Sequence, residues 1–317
     1  LFAVPLMIVA LAGVCAERSG VINLALEGIM IFGAFVGVLF IRIMQENDIF
    51  AKEQAQILLL LTMVVAAICG GLFSLLLAFS AINLKADQTI GGTALNLMAP
   101  ALVLFLVRIL ANQNTLQMAT GDAASWFMIK KSTFGIKKSV DIGFLGETFI
   151  HKVYLATYLC IIIFIVLSII LYKTRFGLRL RACGENPQAA DSLGINVYKM
   201  RYAGVLISGI LGGLGGIVYI TAGVSVWKFE YGVAGFGFLA LAVMIFGAWH
   251  PLKIALAALL FGFFRALGNV YSGFDFMLAL NIPSVVYNML PYIISLVVLA
   301  FTSKQSQGPK AAGIPYD

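Results

Sequence analysis

Thirty-one consecutive residues, Gln54–Leu84, carry no formal charge, and comparable uncharged runs recur at Gln88–Val107, Val153–Tyr172, Tyr202–Trp227, Tyr231–Leu252 and Phe276–Ser303. A helix rises about 1.5 Å per residue and the hydrocarbon layer of a bilayer is about 30 Å thick, so roughly 20 apolar residues make one crossing. A chain with this many such runs crosses a bilayer several times, which excludes a water-soluble core. Only 11% of its 317 residues are charged and 61% are hydrophobic, against roughly 25% charged in a soluble domain. No charge-rich stretch is long enough to form a soluble catalytic head. The sequence therefore predicts an all-α polytopic membrane protein, with one membrane domain over residues 1–302 and a short polar tail at 303–317.

Hydrophobic patterning places nine helices at about Leu1–Ala16, Val21–Ile41, Ala55–Ile82, Thr89–Leu110, Val153–Tyr172, Tyr202–Ala222, Phe236–Ala248, Leu252–Val270 and Ile282–Phe301. Leu1–Ala16 has no basic flank in view and reads as the visible part of a first membrane helix rather than a cleaved signal. Pro5, Pro100 and Pro291 fall inside three of these segments, where a lost N–H calls for kinks in a protein-lined interior. Lys and Arg on alternate sides of the nine helices total 11 against 10, so the count leaves orientation open. Density decides it: Lys173, Arg175, Arg179 and Arg181 crowd one helix end and put the loop 173–201 in the cytoplasm. The tail is then cytoplasmic as well, the polar stretch 111–152 is external, and Leu1 lies outside unless a segment is missing or one of the nine is re-entrant.

Glycines concentrate where helices can touch. Gly33 and Gly37 form one small-xxx-small pair and Ser208, Gly212 and Gly216 another, with Gly209 and Gly213 alongside. A hexapeptide echo, Met30–Phe35 against Met244–Trp249, mildly favours a plan of two related halves with a pathway between them.

Three polar features stand out. Glu27 lies in a segment that otherwise crosses the bilayer, where a central charge costs roughly 3 kcal/mol; Asn23, four residues earlier, shares its helix face. Either both line a substrate path, or Glu27 braces the fold through Arg18 or a backbone amide. Thr89, Thr93 and Asn96, spaced i, i+4, i+7 beside Gly91 and Gly92, form a polar stripe that reads as path lining or as interhelical glue. The third feature is Gly184–Gly194 within the basic loop. Glu185 is followed by Asn186-Pro187, a turn and helix start, then Ala189-Ala190-Asp191 and a stop at Gly194. So short and firmly punctuated a helix suits docking into a groove on another protein.

Absences narrow the function. No Gly-Lys dipeptide exists, so there is no Walker A loop, and there are no paired aspartates, His-Glu-x-x-His or Gly-x-Ser-Gly peptides. The chain reads as a non-enzyme. Its four cysteines lack pairing or ligand spacing and its two histidines lack partners, so no metal site is expected. The net charge of +7 suits cytoplasmic loops against anionic lipid rather than nucleic acid.

The peptides Glu17-Arg18-Ser19-Gly20-Val21-Ile22-Asn23-Leu24-Ala25-Leu26-Glu27-Gly28-Ile29-Met30, Lys85-Ala86-Asp87-Gln88-Thr89-Ile90-Gly91-Gly92-Thr93-Ala94-Leu95-Asn96 and Arg175–Pro187 running to Tyr202 resemble the permease subunits of ABC importers in the branched-chain amino acid, ribose and nucleoside group. The resemblance covers about residues 1–302, and the wording of the first peptide looks like the nucleoside branch. It implies a type II importer permease fold with about 9–10 membrane helices in the inner membrane of a bacterium. Implied partners are cytoplasmic ATPase chains that carry ATP and magnesium, a second and different permease, and an external substrate-binding lipoprotein. Gly184–Gly194 corresponds to the coupling loop on which the ATPase docks. Sugar or branched-chain amino acid import is the nearest alternative, followed by a secondary transporter using Glu27 as a proton site, and by a scaffold that only holds partners together.

Overall fold

The computed structural model describes residues 2–111, 115–116, 126–129, 153–223, 232–273, 275, 283–302 and 308–316. Most of the polar stretch 111–152, expected to be external, lies outside the described residues, His151 included; from it come Met128–Ile129, which pair antiparallel with Val153–Tyr154. Eleven α-helices are described: α1 (Ala3–Glu17), α2 (Leu26–Glu46), α3 (Ala55–Ala78), α4 (Gln88–Ala111), α5 (Leu155–Lys173), α6 (Arg175–Glu185), α7 (Pro187–Ser192), α8 (Val197–Gly223), α9 (Phe236–Phe246), α10 (Pro251–Val270) and α11 (Ser284–Thr302). Each of the nine expected segments is found as a helix. Among the described residues six helices are long and apolar enough to cross a membrane, so this is a multi-pass membrane protein.

Among the described residues two of the apolar helices are shorter than the others. At about 1.5 Å per residue, the 15 residues of α1 reach about 22 Å and the 11 of α9 about 16 Å. The second expected helix also begins late. Val21–Ala25 is irregular, and α2 starts only at Leu26. Periodicity could not show this, because all five residues are apolar or Asn; what breaks the helix is Gly20, left-handed at φ +95°. Pro5 falls in the first turn of α1 rather than its interior, whereas Pro100 and Pro291 are internal to α4 and α11.

α8 is the post of the bundle, packing against α1, α2 and α3. The crossing is glycine against glycine: a Cβ on Gly33 would lie 2.4 Å from the Gly213 Cα, and one on Gly213 would lie 2.3 Å from the Ala66 carbonyl oxygen. Helices in lipid lack a hydrophobic drive to associate, so such backbone contact supplies the packing. Gly213→Leu is expected to prevent the bundle from closing, read as complete loss of the protease-resistant, membrane-inserted chain, while Gly194→Ala in the loop beyond α7 leaves that resistance intact. The hexapeptide echo is not a structural repeat. Gly33–Phe35 is helical, whereas Ala248 and Trp249 sit in a turn with left-handed backbones.

α3 ends in a widened π turn, Phe79–Asn83, tied down by a hydrogen bond from the Tyr202 hydroxyl to Asn83. α5 ends where Thr174 caps α6, whose amphipathic turns lead into α7. α1 also ends on this face, since Arg18 forms a 3.1 Å ion pair with Glu185.

Candidate functional site

The irregular segment between Gly20 and Leu26 lies inside the protein, where polar side chains of α4 serve its backbone and its own Asn23 reaches α8. Ile22 N–H donates to Gln88 Oε1 at 2.7 Å. Asn96 makes two bonds: its Nδ2 donates to the Leu24 carbonyl at 2.6 Å and its Oδ1 accepts from Gly28 N–H at 2.8 Å. Asn23 donates to the Ser208 hydroxyl at 2.8 Å and accepts from Ala25 N–H at 3.1 Å, crossing to α8. Non-helical backbone at membrane depth is tolerated only when protein or a water-filled cavity satisfies it, and these three side chains do so. Pro100, one turn beyond Asn96, removes the N–H that Asn96's own carbonyl would accept.

Glu27 closes the arrangement. It stands in the first turn of α2 and is 8% exposed. Its Oε1 accepts from Gly235 N–H at 2.9 Å and its Oε2 from Gly237 N–H at 2.6 Å, the opening amides of α9. Gly235 takes the left-handed backbone that starts this half-helix, at φ +73°. One carboxylate thus serves the positive ends of two helix dipoles, each interaction contributing about 0.3–2 kcal/mol. Glu27 thus bonds to backbone amides and not to Arg18, which pairs with Glu185.

Beside this junction lies a residue that the sequence reading passed over. Arg265, half-buried in α10, sits 5.6 Å from the Phe236 ring and interacts with the Tyr219 hydroxyl. Tyr292 of α11 donates to the Ala234 carbonyl at 2.6 Å. An arginine in a spanning helix is costly unless it meets protein or water, and that rarity was the available signal. The aromatic rings and the guanidinium give this wall both stacking faces and hydrogen-bond donors.

The Thr89, Thr93 and Asn96 stripe divides. Asn96 turns inward to the break, while Thr89 and Thr93 are exposed on the outer face of α4, where the Thr93 hydroxyl bonds back to the Thr89 carbonyl at 2.8 Å. Two hydroxyls and one amide at this spacing share a face only in part.

On the face that carries the basic loop, the expected short helix is present as α7. Asn186 caps it, accepting from Ala189 N–H at 3.0 Å, and Pro187 occupies the first helical position. It ends at Gly194, left-handed at φ +78°, whose N–H donates to the Asp191 carbonyl at 2.7 Å. Pro187 and Ala190 point inward, Ala190 packing with Cys183 and Val197. Glu185, Gln188, Ala189, Asp191 and Leu193 are exposed, Leu193 at 80%. The outward face of α7 is therefore the one bearing Ala189 and Leu193, and Ala190 is its buried root. Among the described residues no group of three His, Cys, Asp or Glu side chains forms a metal cage.

Residues 1–301 match the family described as the branched-chain amino acid transport system / permease component. The chain is 42% identical to the guanosine ABC transporter permease protein NupQ of Bacillus subtilis over 99% of its own length and 93% of that relative. It is 40% identical to the nucleoside ABC transporter permease protein NupC of Lactococcus lactis, covering 100% of this chain and 94% of the relative. The nucleoside ABC transporter permease protein NupB of the same organism is more distant, 25% identical over 81% of this chain. No solved structure matches the chain. With a glycine-packed bundle, a stitched helix break and full-length similarity of this order, the chain belongs to the permease-component family of ABC transporters.

Proposed function

We propose that this chain is one of two permeases in a bacterial inner-membrane importer of nucleosides. It forms half of the translocation path and is driven by ATP hydrolysed, with magnesium, on separate cytoplasmic subunits. The observation that carries the substrate class is the 42% identity, end to end, with a guanosine permease. A second, different permease completes the path, in keeping with the two distinct nucleoside permeases, NupB and NupC, of Lactococcus lactis. An external lipoprotein delivers the substrate to the face opposite the basic loop. Nothing in this reading assigns catalysis to the chain itself.

The mechanism follows from the two sites. The α7 handle moves with the ATPase pair. Through Arg18 and Glu185 it is joined to the end of α1 and to the segment leading to Glu27. Glu27 in turn holds the start of α9. A rigid movement of α7 thus reaches the two interrupted helices, where path walls built from half-helices open alternately to either side. Glu27, Asn23 and Asn96 set the shape of the path, Thr89 and Thr93 face the partner permease, and the Arg265–Tyr219–Phe236 wall meets the base or ribose.

The test is competition in vesicles carrying the whole complex with its binding lipoprotein. Uptake of labelled guanosine is expected to be displaced by unlabelled nucleosides and unaffected by ribose or leucine. Displacement by ribose or leucine alone would move the chain to a sister branch.

A further inference from the structure

The tail Gly308–Tyr316 does not trail away from the membrane. It crosses the whole face that carries α7. Gly308 lies against the Trp249 ring, and the Ala311 N–H donates to the Gly184 carbonyl at 2.8 Å. Gly313 then turns on a left-handed backbone, φ +83°, and its N–H donates to the Gly20 carbonyl at 3.3 Å. The tail ends with Tyr316 between the Tyr198 ring, 5.6 Å away, and the guanidinium of the buried Arg201, 5.9 Å away. Desolvation and then the neighbouring Asp191 carboxylate hold the Tyr316 hydroxyl above its usual range. Two backbone bonds and two ring contacts thus fix nine residues of otherwise irregular chain.

Between tail and α7 runs a groove of about 300 Å³, lined on one side by Glu185, Asn186 and Gln188 and on the other by Lys310, Ile314 and Tyr316. Large apolar side chains stand out of the protein here: Leu193 beyond the end of α7 and, on the tail, Ile314, which is 55% exposed. Neither belongs to a spanning helix, so lipid does not account for their exposure, and exposed apolar groups rimmed by charge on a polar face mark a protein contact. The groove offers a carboxylate and an ammonium beside that contact.

We propose that the ATPase subunit docks on a composite ledge made of α7 and the C-terminal tail, with Leu193 and Ile314 as its two apolar anchors, rather than on α7 alone. This rests on the reading of α7 as the coupling helix. Its occupant is the ATPase because the groove is continuous with the α7 face that this reading assigns to it. The tail also ties that face to Gly20, the residue that ends the α1 turn before the helix break, so a push on Ile314 is delivered to the break directly. Two points of grip, one beyond the end of α7 and one on the tail, fix the direction of the pull as well as its force.

The test uses the complete transporter and a bulky, membrane-impermeant maleimide applied from the ATPase side. Native thiols interfere little: Cys15, Cys160 and Cys183 are buried, the half-buried Cys69 lies within the apolar helix α3, and burial pushes the Cys183 thiol up against the opposing influence of Arg201. Leu193→Cys and Ile314→Cys are made singly, and labelling is compared between the permease pair alone and the pair with its ATPase. Both sites are expected to label about tenfold more slowly in the full complex, as residues closed off inside an interface do. Protection of Leu193→Cys with none at Ile314→Cys would overturn the composite ledge and leave the coupling helix standing. Protection at neither site in a complex that retains its ATPase would overturn both, as would protection at Ile314→Cys alone. If Ile314→Cys releases the ATPase while the permease pair still purifies, docking has been lost at the tail and the ledge is supported.

Discussion

Glu27→Ala is expected to remove transport and to lower the stability of the purified complex by about 2–6 kcal/mol, because one buried and one part-buried N–H group lose their acceptor at about 1–3 kcal/mol each. The amides left behind are those of Gly235 and Gly237, at the start of a helix too short to be anchored by length alone. Glu27→Gln keeps one acceptor and loses the charge that complements two helix ends, so it is expected to fall between Glu27→Ala and the unaltered chain. Thermal unfolding of detergent-purified complexes measures the order. Equal stability of the three would mean that the carboxylate is not a brace, and would return weight to a proton-carrying role. An imposed proton gradient is correspondingly expected to drive no uptake, since both carboxylate oxygens are already committed to α9.

The second large effect is expected at α7. Leu193→Arg alters an exposed anchor without touching the buried root of the helix, and loss of such an anchor typically costs about 2–4 kcal/mol of binding, a roughly 30- to 1000-fold change in affinity. ATP-driven uptake is expected to fall to background while the permease pair assembles normally. Ala190→Arg gives the same loss of uptake for a different reason: at 2% exposure Ala190 has no room for a guanidinium beside Cys183 and Val197, so the helix itself is displaced. Comparing the two by ATPase retention and by protease resistance of the loop separates a lost contact from a lost fold. Intact uptake in Leu193→Arg would remove the exposed face of α7 from the coupling interface.

The helices were legible because apolar runs of about 20 residues have few other uses, and α7 was legible because Asn-Pro and a terminal glycine state where a short helix starts and stops. The break before α2 was not. Val21–Ala25 has the composition of a helix, and its conformation is set by partners 65 or more residues away, Gln88, Asn96 and Ser208. Asn23, Glu27 and Asn96 each bond to backbone within the protein, which spacing along one helix cannot reveal. For the same reason Asn96→Leu does not separate a transporter from a scaffold: it strips the Leu24 carbonyl and Gly28 N–H of their partner in either case. The tail was illegible because Lys310–Tyr316 has no periodicity, and only tertiary contacts with Gly20, Gly184 and Tyr198 give it a place.

Nucleoside uptake into vesicles containing the purified complex, with ATP on the ATPase side and no proton gradient, most directly tests whether this polypeptide is a path moved by a separate motor. Accumulation that requires ATP and vanishes with an ATPase unable to hydrolyse it is the expected result. Accumulation driven by a proton gradient in vesicles holding the permeases without any ATPase would contradict it.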